Sequence, residues 1–394
     1  MKIVFFCIPA YGHTNPTLGV VRELIARGHE VRYCSYEPMR GAIEPTGAQF
    51  VPCDAYDAQI TFSEADNARV GKDLAFSTEL IVNMTLALDD AMLTEMRAFA
   101  PDVIVGDSMA FWAKLLAQKL GVPFVSSTTT FAFNKESAKV MKQTPQGLFS
   151  LLFALPKINK SLDRLRKKGY AVKSVLDIIA NDARTDTIVY TSPEFQPCAE
   201  TFSDRYAFVG PILRPITQPL EKSSQPTLYI SLGSVDNQHP DFYRSCLAAF
   251  LGAPYRVILS VGERTDISAL GDIPSSCIVA PHVDQMAVLA ASDVFLTHCG
   301  MNSVSEALWY GVPLVLFPQT PEQRGIANRV HQLGAGRFLE SDAPAAIRVA
   351  VDGVLRDKSI RAAAGKIAES FLRCGGAKAA ADKIEATAKH KNKS

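Results

Sequence analysis

The stretch DVFLTHCGMNSVSEALWYGVPLVLFPQTPEQRGIANRV, residues 293–330, predicts a strand, a helix and a second strand in direct succession. The first apolar run, 294–296, is short and ends in the polar turn 297–300, so it predicts a buried strand. Asn302 or Ser303 can cap the helix that follows. A Gly-Val-Pro run ends this helix before the second apolar run begins, as in a parallel sheet whose strands lead into helices.

The turn after the first of these strands predicts an anion site. A strand that opens a helix through small residues presents free backbone N–H groups and the positive end of the helix dipole. His298 and the Ser303 hydroxyl add donors on the same side, whereas Glu306 would repel an anion and can accept hydrogen bonds from two sugar hydroxyls. This combination predicts a nucleoside diphosphate whose ribose lies beside Glu306. Glu322 and Gln323 offer further acceptors and donors for a polyol.

Length and composition limit the class of protein. A chain of 394 residues exceeds one typical core and fits two domains. The formal net charge is +1, which gives no basis for binding to nucleic acid. The eight cysteines form no C-x-x-C pair, so we expect reduced thiols in a cytoplasmic protein.

The hydrophobic pattern argues against a membrane protein. The first apolar run, 3–8, holds only six residues before a proline and predicts a strand rather than a signal peptide. No stretch reaches the ~18 uninterrupted apolar residues that a spanning helix needs. We therefore expect a soluble chain without a membrane anchor.

Two runs of alternating strands and helices are separated by a linker. Strand 2–8, a helix whose apolar stripe ends at Gly28, and strand 31–35 open the first run, and the pattern restarts at Thr227. Such alternation predicts doubly wound α/β domains with ligand sites at the carboxyl ends of the strands. The predicted limits are 1–212 for the first domain, 213–226 for a Pro- and Ser-rich linker, 227–375 for the second domain, and 376–394 for a C-terminal helix and tail.

The segment 282–323 resembles the donor-binding signature of family 1 glycosyltransferases, the UDP-sugar-dependent group that includes plant natural-product and bacterial macrolide enzymes. The matching positions are Gln285, His298, Cys299, Gly300, Asn302, Ser303, Glu306, Gly311, Val312, Pro313, Pro318, Gln319, Glu322 and Gln323. The resemblance extends over essentially the whole chain. It implies a GT-B fold, in which two facing Rossmann-like domains bind the acceptor and the nucleotide sugar and a last helix, near 377–388, crosses back to the first domain.

Sugar transfer needs a base that activates the acceptor. His13 lies in the predicted loop 9–16, at the expected cleft, and imidazole can accept a proton near neutral pH. Asp107, at the end of the predicted strand VIVG, is the best candidate for the carboxylate that stabilises the imidazolium, and the resemblance implies this pair. In the alternative interpretation, the Gly-His turn is structural and Asp107 caps the helix that starts near Phe111.

The resemblance also implies the contacts to the diphosphate and the sugar. Ser234, His298 and the N–H groups of residues 300–303 would share the diphosphate charge. Glu322 and Gln323 would hold the sugar hydroxyls. Many plant members have Asp at the position of Glu322, so glucose is favoured but other sugars stay open.

Recognition of the nucleoside is predicted from three residues. His282 stands where the plant signature has a tryptophan that stacks on uracil, so nucleobase selectivity stays open. Val283 would offer its backbone to the base, and Gln285 would reach the ribose. The family lacks the Asp-x-Asp pair that holds a divalent ion in other glycosyltransferases, which implies no metal and no cofactor besides the co-substrate UDP-glucose or a related UDP-sugar.

The acceptor pocket is the least specified part. The candidate walls are apolar side chains of the N-terminal half, namely Tyr11, Met84, Phe111, Trp112, Phe131 and Phe133. An ordinary core role is equally open for each of them. As pocket walls they would suit a flavonoid, another phenolic or a macrolide.

Together with these features, the resemblance implies an inverting transferase that moves glucose from UDP-glucose to a hydroxyl of a lipophilic small molecule. We expect a monomer or weak homodimer. The alternatives are a dTDP-deoxysugar or UDP-GlcNAc transferase, and a non-catalytic nucleotide-sugar-binding protein of the same fold. A dehydrogenase is disfavoured, because only Gly12 stands where a dinucleotide fingerprint needs three glycines.

Overall fold

The computed structural model describes residues 1–54, 73–140, 148–181, 184–234 and 237–390. Within these ranges the chain forms two parallel β-sheets, each with helices packed on both faces. The predicted tail beyond residue 390 lies outside them. No helix in the described ranges combines the length and the hydrophobicity needed to cross a bilayer.

The first sheet has the strand order β3-β2-β1-β4-β5-β6-β7 in the described part of the chain, and its paired strands run parallel. The strands are β1 (Lys2–Phe6), β2 (Glu30–Ser35), β3 (Gln49–Pro52), β4 (Val103–Asp107), β5 (Phe124–Thr128), β6 (Asp186–Val189) and β7 (Tyr206–Phe208). The accompanying helices are α1 (Tyr11–Ala26), α2 (Arg40–Ile43), α3 (Leu74–Phe99), α4 (Phe111–Leu120), α5 (Lys135–Val140), α6 (Leu148–Lys167) and α7 (Leu176–Ile179). The order reverses between β1 and β4, where doubly wound sheets bind ligands.

Strand β1 shows why this sheet is buried on both faces. Ile3 and Phe5 pack with α1 on one face, whereas Val4 and Phe6 pack with α3 and α4 on the other. Successive side chains of a strand point to opposite faces, so a strand covered on both sides reads as one continuous apolar run. This is the run that the sequence shows before Pro9.

The second sheet repeats the arrangement with the order β10-β9-β8-β11-β12-β13 in the described ranges. Its strands are β8 (Thr227–Ser231), β9 (Arg256–Ser260), β10 (Cys277–Ala280), β11 (Val294–Thr297), β12 (Leu314–Leu316) and β13 (Gly336–Phe338). Its helices are α8 (Pro240–Ala249), α9 (Gln285–Ala291), α10 (Met301–Trp309), α11 (Pro321–Gln332), α12 (Pro344–Arg356) and α13 (Lys358–Leu372). The reversal here falls between β8 and β11, and the predicted pair of doubly wound sheets is confirmed.

The last helix, α14 (Gly376–His390), packs against the first sheet. Ala380 and Ile384 are fully buried in the same core cluster as β1 and α1. Glu385 accepts hydrogen bonds from Arg27 at 3.1 Å and from His29 at 2.9 Å. The predicted helix that crosses back is therefore confirmed, while the predicted domain limits stay predictions.

One local prediction is wrong. The sequence predicts a loop over 9–16, but α1 already begins at Tyr11 and carries Pro16 inside it. A proline is tolerated in an early turn of a helix at the cost of one backbone hydrogen bond, here the bond from residue 16 to the Gly12 carbonyl. His13 therefore lies on the first turn of a helix rather than on a loop.

Candidate active site

His13 and Asp107 form a hydrogen-bonded pair at the carboxyl edge of the first sheet, one after β1 and the other at the end of the neighbouring strand β4. Nδ1 of His13 lies 2.8 Å from Oδ1 of Asp107 and 3.2 Å from the Thr129 hydroxyl oxygen. The second oxygen of Asp107 accepts from the backbone N–H of Met109 at 3.1 Å. Because a carboxylate can only accept, Nδ1 carries the proton and Nε2 is left to take up another.

One of the two interpretations of Asp107 does not fit the structure. Helix α4 has Ala110 as its N-cap, without any side-chain cap. The Asp107 side chain is 1% exposed and therefore buried against the imidazole. The interpretation of Asp107 as a helix cap is wrong, because its carboxylate bonds His13 and the turn before the helix instead.

The surroundings of His13 favour the imidazolium. Burial alone would lower the pKa of His13, but the hydrogen bond and the charge of Asp107, together with the charge of Glu322, more than offset it, and the pKa is raised above 6.5. Glu322 belongs to α11 of the second sheet's domain, so a charge from each domain acts on this ring. The imidazole keeps 25% of its exposure, which leaves access from solvent.

The turn between β11 and α10 lies at the reversal point of the second sheet. Gly300 is the N-cap of α10, which corrects the prediction that Asn302 or Ser303 caps this helix. Cys299 adopts a left-handed φ of 68°, uncommon for a residue with a side chain, and its backbone N–H donates to the Thr297 hydroxyl at 3.1 Å. Gly300 stands at the N-cap position without a side chain, so the first N–H groups of α10 have no side-chain cap, and Asn302 and Ser303 lie inside the helix.

His298 is enclosed by two glycines. A Cβ atom on Gly233 or on Gly300 would lie 2.6 Å from Nε2 of His298, closer than real contacts allow. Gly233 follows β8 with a φ of +82°. Because the backbone at both glycines lies so close to the ring, His298 is held in place on both sides. The sequence analysis named only Ser234 in the turn after β8, and Ser234 is exposed.

His298 acts as a neutral group. Burial lowers its pKa to about 4, and a contact with the Ser231 backbone offsets this only in part. At neutral pH the ring can donate one hydrogen bond but brings no positive charge. If His298 binds the diphosphate as predicted, it would contribute as a dipole, beside the N–H groups at the start of α10.

Glu306 is buried, with 8% exposure, and belongs to a hydrogen-bonded chain. Burial raises the pKa of Glu306, while Gln285 and the charge of Arg214 act in the opposite direction. Gln285 donates to Glu306 through Nε2 and accepts from the Tyr229 hydroxyl at 3.0 Å. Gln285 therefore orients the carboxylate that is predicted to bind the ribose.

The other predicted donor residues divide into two groups. Glu322 is exposed at the start of α11, whereas the side-chain oxygen of Gln323 accepts from the backbone N–H groups of Gln319 at 2.7 Å and Thr320 at 3.2 Å. Only the amide nitrogen of Gln323 is thus left for a sugar.

The two residues predicted to contact the nucleobase differ in exposure. His282 is 63% exposed and pairs with Glu263 at 3.3 Å, and the half-buried Val283 packs on the core of this domain.

The residues predicted to line the acceptor pocket differ in their exposure. Tyr11 is 53% exposed and Phe133 is 42% exposed, after β1 and β5 respectively. Trp112 and Phe131 are 2% and 0% exposed, which corrects their prediction as pocket walls, because both side chains are used in core packing. The partly buried side chains of Met84 and Phe111 also pack against core clusters.

Met109 is an exposed apolar residue that the sequence analysis missed. It is 43% exposed and follows Asp107 by two residues, after the strand between β1 and β5. Its backbone bonds Asp107, so the main chain beside the dyad also carries this side chain. Its position just after the predicted strand VIVG was the sequence feature that could have identified Met109 as a residue near the site.

Comparison with known proteins gives consistent relatives. Residues 247–385 match the family described as "Erythromycin biosynthesis protein CIII-like, C-terminal domain". The chain is 32% identical over 389 residues to NDP-glycosyltransferase YjiC of Bacillus subtilis, covering 96% of this chain and 95% of the relative. It is 32% identical over 399 residues to demethyllactenocin mycarosyltransferase of Streptomyces fradiae, covering 97% and 86%.

Among solved structures, the calicheamicin glycosyltransferase CalG4 is similar, with a TM-score of 0.80 and 32% identity, covering 98% of this chain and 97% of that one. The paired sheets and the site at their edges define a GT-B glycosyltransferase. The chain belongs to family 1 of the glycosyltransferases, of the type that acts on macrolides and other natural products.

Proposed function

We propose that this protein is an inverting glycosyltransferase that moves glucose from UDP-glucose to a hydroxyl group of a lipophilic acceptor. The observation that carries the proposal is the 2.8 Å contact between His13 and Asp107, with Nε2 left to accept a proton. The enclosed His298 and the start of α10 supply donors for a departing diphosphate. The exposed apolar residues Tyr11 and Met109 stand two residues along the chain from His13 and Asp107, respectively, and suit an apolar acceptor.

The reaction follows from these positions. Nε2 of His13 takes the proton of the acceptor hydroxyl while its oxygen attacks the anomeric carbon, and the bond from that carbon to the diphosphate oxygen breaks on the opposite face. The nucleoside diphosphate leaves with the bonding electron pair, and its charge meets the N–H groups of α10 and the neutral His298. Asp107 stabilises the imidazolium that forms. An α-linked donor therefore yields a β-linked product.

An acceptor screen tests the proposal. Flavonoids, simple phenolics and macrolides are incubated with UDP-glucose, and products are identified by mass spectrometry and by the anomeric proton coupling in NMR. A product with inverted configuration supports the proposal, whereas nucleotide binding without product with any donor contradicts it. Turnover that persists in EDTA is expected if catalysis needs no metal.

A dTDP-sugar is the second candidate donor. The observation that leaves room for it is the exposed His282, which pairs with Glu263 and does not distinguish uracil from thymine. One relative of the chain is named as a mycarosyltransferase rather than a glucosyltransferase. Parallel assays with UDP-glucose, dTDP-glucose and UDP-GlcNAc, read as release of the nucleotide, separate these donors.

The remaining alternative is a non-catalytic nucleotide-sugar-binding protein. His13→Ala distinguishes it, because binding of UDP is retained in both cases but only a catalyst loses turnover. We further infer a cytoplasmic protein that is a monomer or weak homodimer. Sedimentation velocity over a range of concentrations tests the second point.

A further inference from the structure

One hydrogen bond joins the two domains at the site itself. Nδ2 of Asn302, the second residue of α10, donates to the backbone carbonyl oxygen of Gly12 at 2.9 Å. Gly12 directly precedes His13. The bond therefore connects the turn that carries the imidazole with the helix whose N-terminus forms the anion site.

Pro16 explains why the Gly12 carbonyl can accept this bond. In a regular helix that carbonyl would accept from the backbone N–H four residues later, which is residue 16. Proline has no N–H, and its ring crowds the carbonyl four residues earlier and turns it outward. Pro16 lies inside α1, so the oxygen of Gly12 faces a partner outside its own helix.

The Asn302 side chain is available for a matching reason. Gly300 occupies the N-cap position of α10, so Asn302 lies inside the helix and is not used as a cap. Asn302, Ser305 and Glu306 share one face of the helix and line a narrow crevice with Asn15 and Pro16 of α1. The two helices are thus in contact around the hydrogen bond.

We propose that Asn302 is a positioning residue. Its hydrogen bond to the Gly12 carbonyl, called the latch below, holds the two domains together and so places His13 against the donor. The proposal rests on the proposed function for its link to turnover, whereas the latch itself is a property of the fold. A nucleoside diphosphate bound at the start of α10 fixes the helix that carries Asn302. Binding of the donor then favours the arrangement in which the base is in place.

Two variants test the latch from opposite sides. Asn302→Ala removes the donor, and Pro16→Ala gives residue 16 an N–H that competes for the Gly12 carbonyl. Each is expected to lower kcat by about 3- to 10-fold, the value of one neutral hydrogen bond. The double variant is expected to lose no more than the larger single effect, because both act on the same bond.

Pro156→Ala is the matched control, since Pro156 is an exposed proline inside α6. Removing the exposed Pro156 is expected to raise Tm, whereas in α1 this gain is offset by the packing that the buried Pro16 loses. Only Pro16→Ala should lower kcat, with an unchanged KM for the nucleotide sugar. A purely structural role for Pro16 would change Tm without any loss of kcat, and that result would overturn the proposal.

A readout without turnover keeps the latch separate from the proposed function. The radius of gyration with saturating UDP, measured by small-angle X-ray scattering, is expected to be larger for Asn302→Ala than for the unmodified protein. If the unmodified protein transfers no sugar but this difference is found, the proposed function fails and the latch stands. Equal radii, or strictly additive losses of kcat in the double variant, contradict the latch.

Discussion

The carboxylate of Glu322, in the second domain, raises the pKa of the His13 imidazole in the first. The effect adds to the larger one of Asp107, which bonds the same ring at 2.8 Å. The pKa of the proposed base in one domain thus depends on a carboxylate of the other domain. The arrangement of the two domains therefore affects the chemistry as well as the shape of the site.

The dyad leads to the first prediction. Asp107→Asn keeps the shape of the side chain but removes the charge that stabilises the imidazolium, and we expect kcat to fall about 100-fold or more. His13→Ala should have an effect of similar size. Initial rates of nucleotide release measure both. Calorimetric UDP affinity should stay unchanged in both variants, and activity near the unmodified level in Asp107→Asn would contradict the dyad.

The pH dependence of activity follows from the raised pKa of His13. The base works only when unprotonated, so kcat/KM should fall as the pH drops through an apparent pKa above 6.5. Removing the charge in Glu322→Gln should move this acid limb to lower pH, because that carboxylate favours the imidazolium. The measurement is a kcat/KM profile from pH 5 to 9. Glu340→Gln, which removes an exposed carboxylate elsewhere, is the control and should leave the acid limb in place. If the acid limb of Glu322→Gln also stays where it is in the unmodified protein, Glu322 has no influence on the pKa of His13.

A third prediction concerns the glycine that encloses His298. Gly233→Ala places a methyl group 2.6 Å from Nε2 of His298, and we expect UDP affinity to fall about 10- to 100-fold through the displaced donor. Gly252→Ala is the control, since Gly252 also has a positive φ but has no described atom within 4 Å of the added carbon. Both variants should lose about 1–2 kcal/mol of stability through the strained backbone. Equal UDP affinities by calorimetry would show that His298 does not contact the nucleotide.

Met109 gives the fourth prediction. Met109→Ser replaces an exposed apolar side chain beside the dyad, and we expect KM for lipophilic acceptors to rise about fivefold through lost apolar contact. The KM for the nucleotide sugar should not change. Leu251→Ser, which replaces an exposed residue just beyond α8 in the other domain, serves as the control. Steady-state kinetics of Met109→Ser are measured with a small hydrophilic acceptor and with a large lipophilic one. An equal rise of KM for both acceptors would contradict the role of Met109 in binding apolar acceptors.

The sequence predicted the parts of the site that depend on local order. His13 and Asp107 follow apolar strands, and the carboxyl ends of neighbouring parallel strands meet at one edge of a sheet. The alternation of strands and helices also predicted both doubly wound sheets. These features depend on strand periodicity and on a few turn residues, which a single sequence shows directly.

Other assignments depended on packing and were wrong or missed. Trp112 and Phe131 are apolar residues near the site, as are Tyr11 and Met109, and composition does not tell a core side chain from an exposed one. The pattern around α10 allowed Asn302 as a cap, although Gly300 occupies the N-cap position and the helix has no side-chain cap.

By itself, the sequence determined two sheets of doubly wound topology, the residues at their carboxyl edges and the membership of a glycosyltransferase family. Only the tertiary structure decided that Pro16 leaves the Gly12 carbonyl to Asn302, that Gly233 and Gly300 enclose His298, and that Glu322 acts on His13. The physical reason is that periodicity is a property of neighbours along the chain. A hydrogen bond, a steric limit or a charge effect between distant segments exists only once the two domains have folded and met.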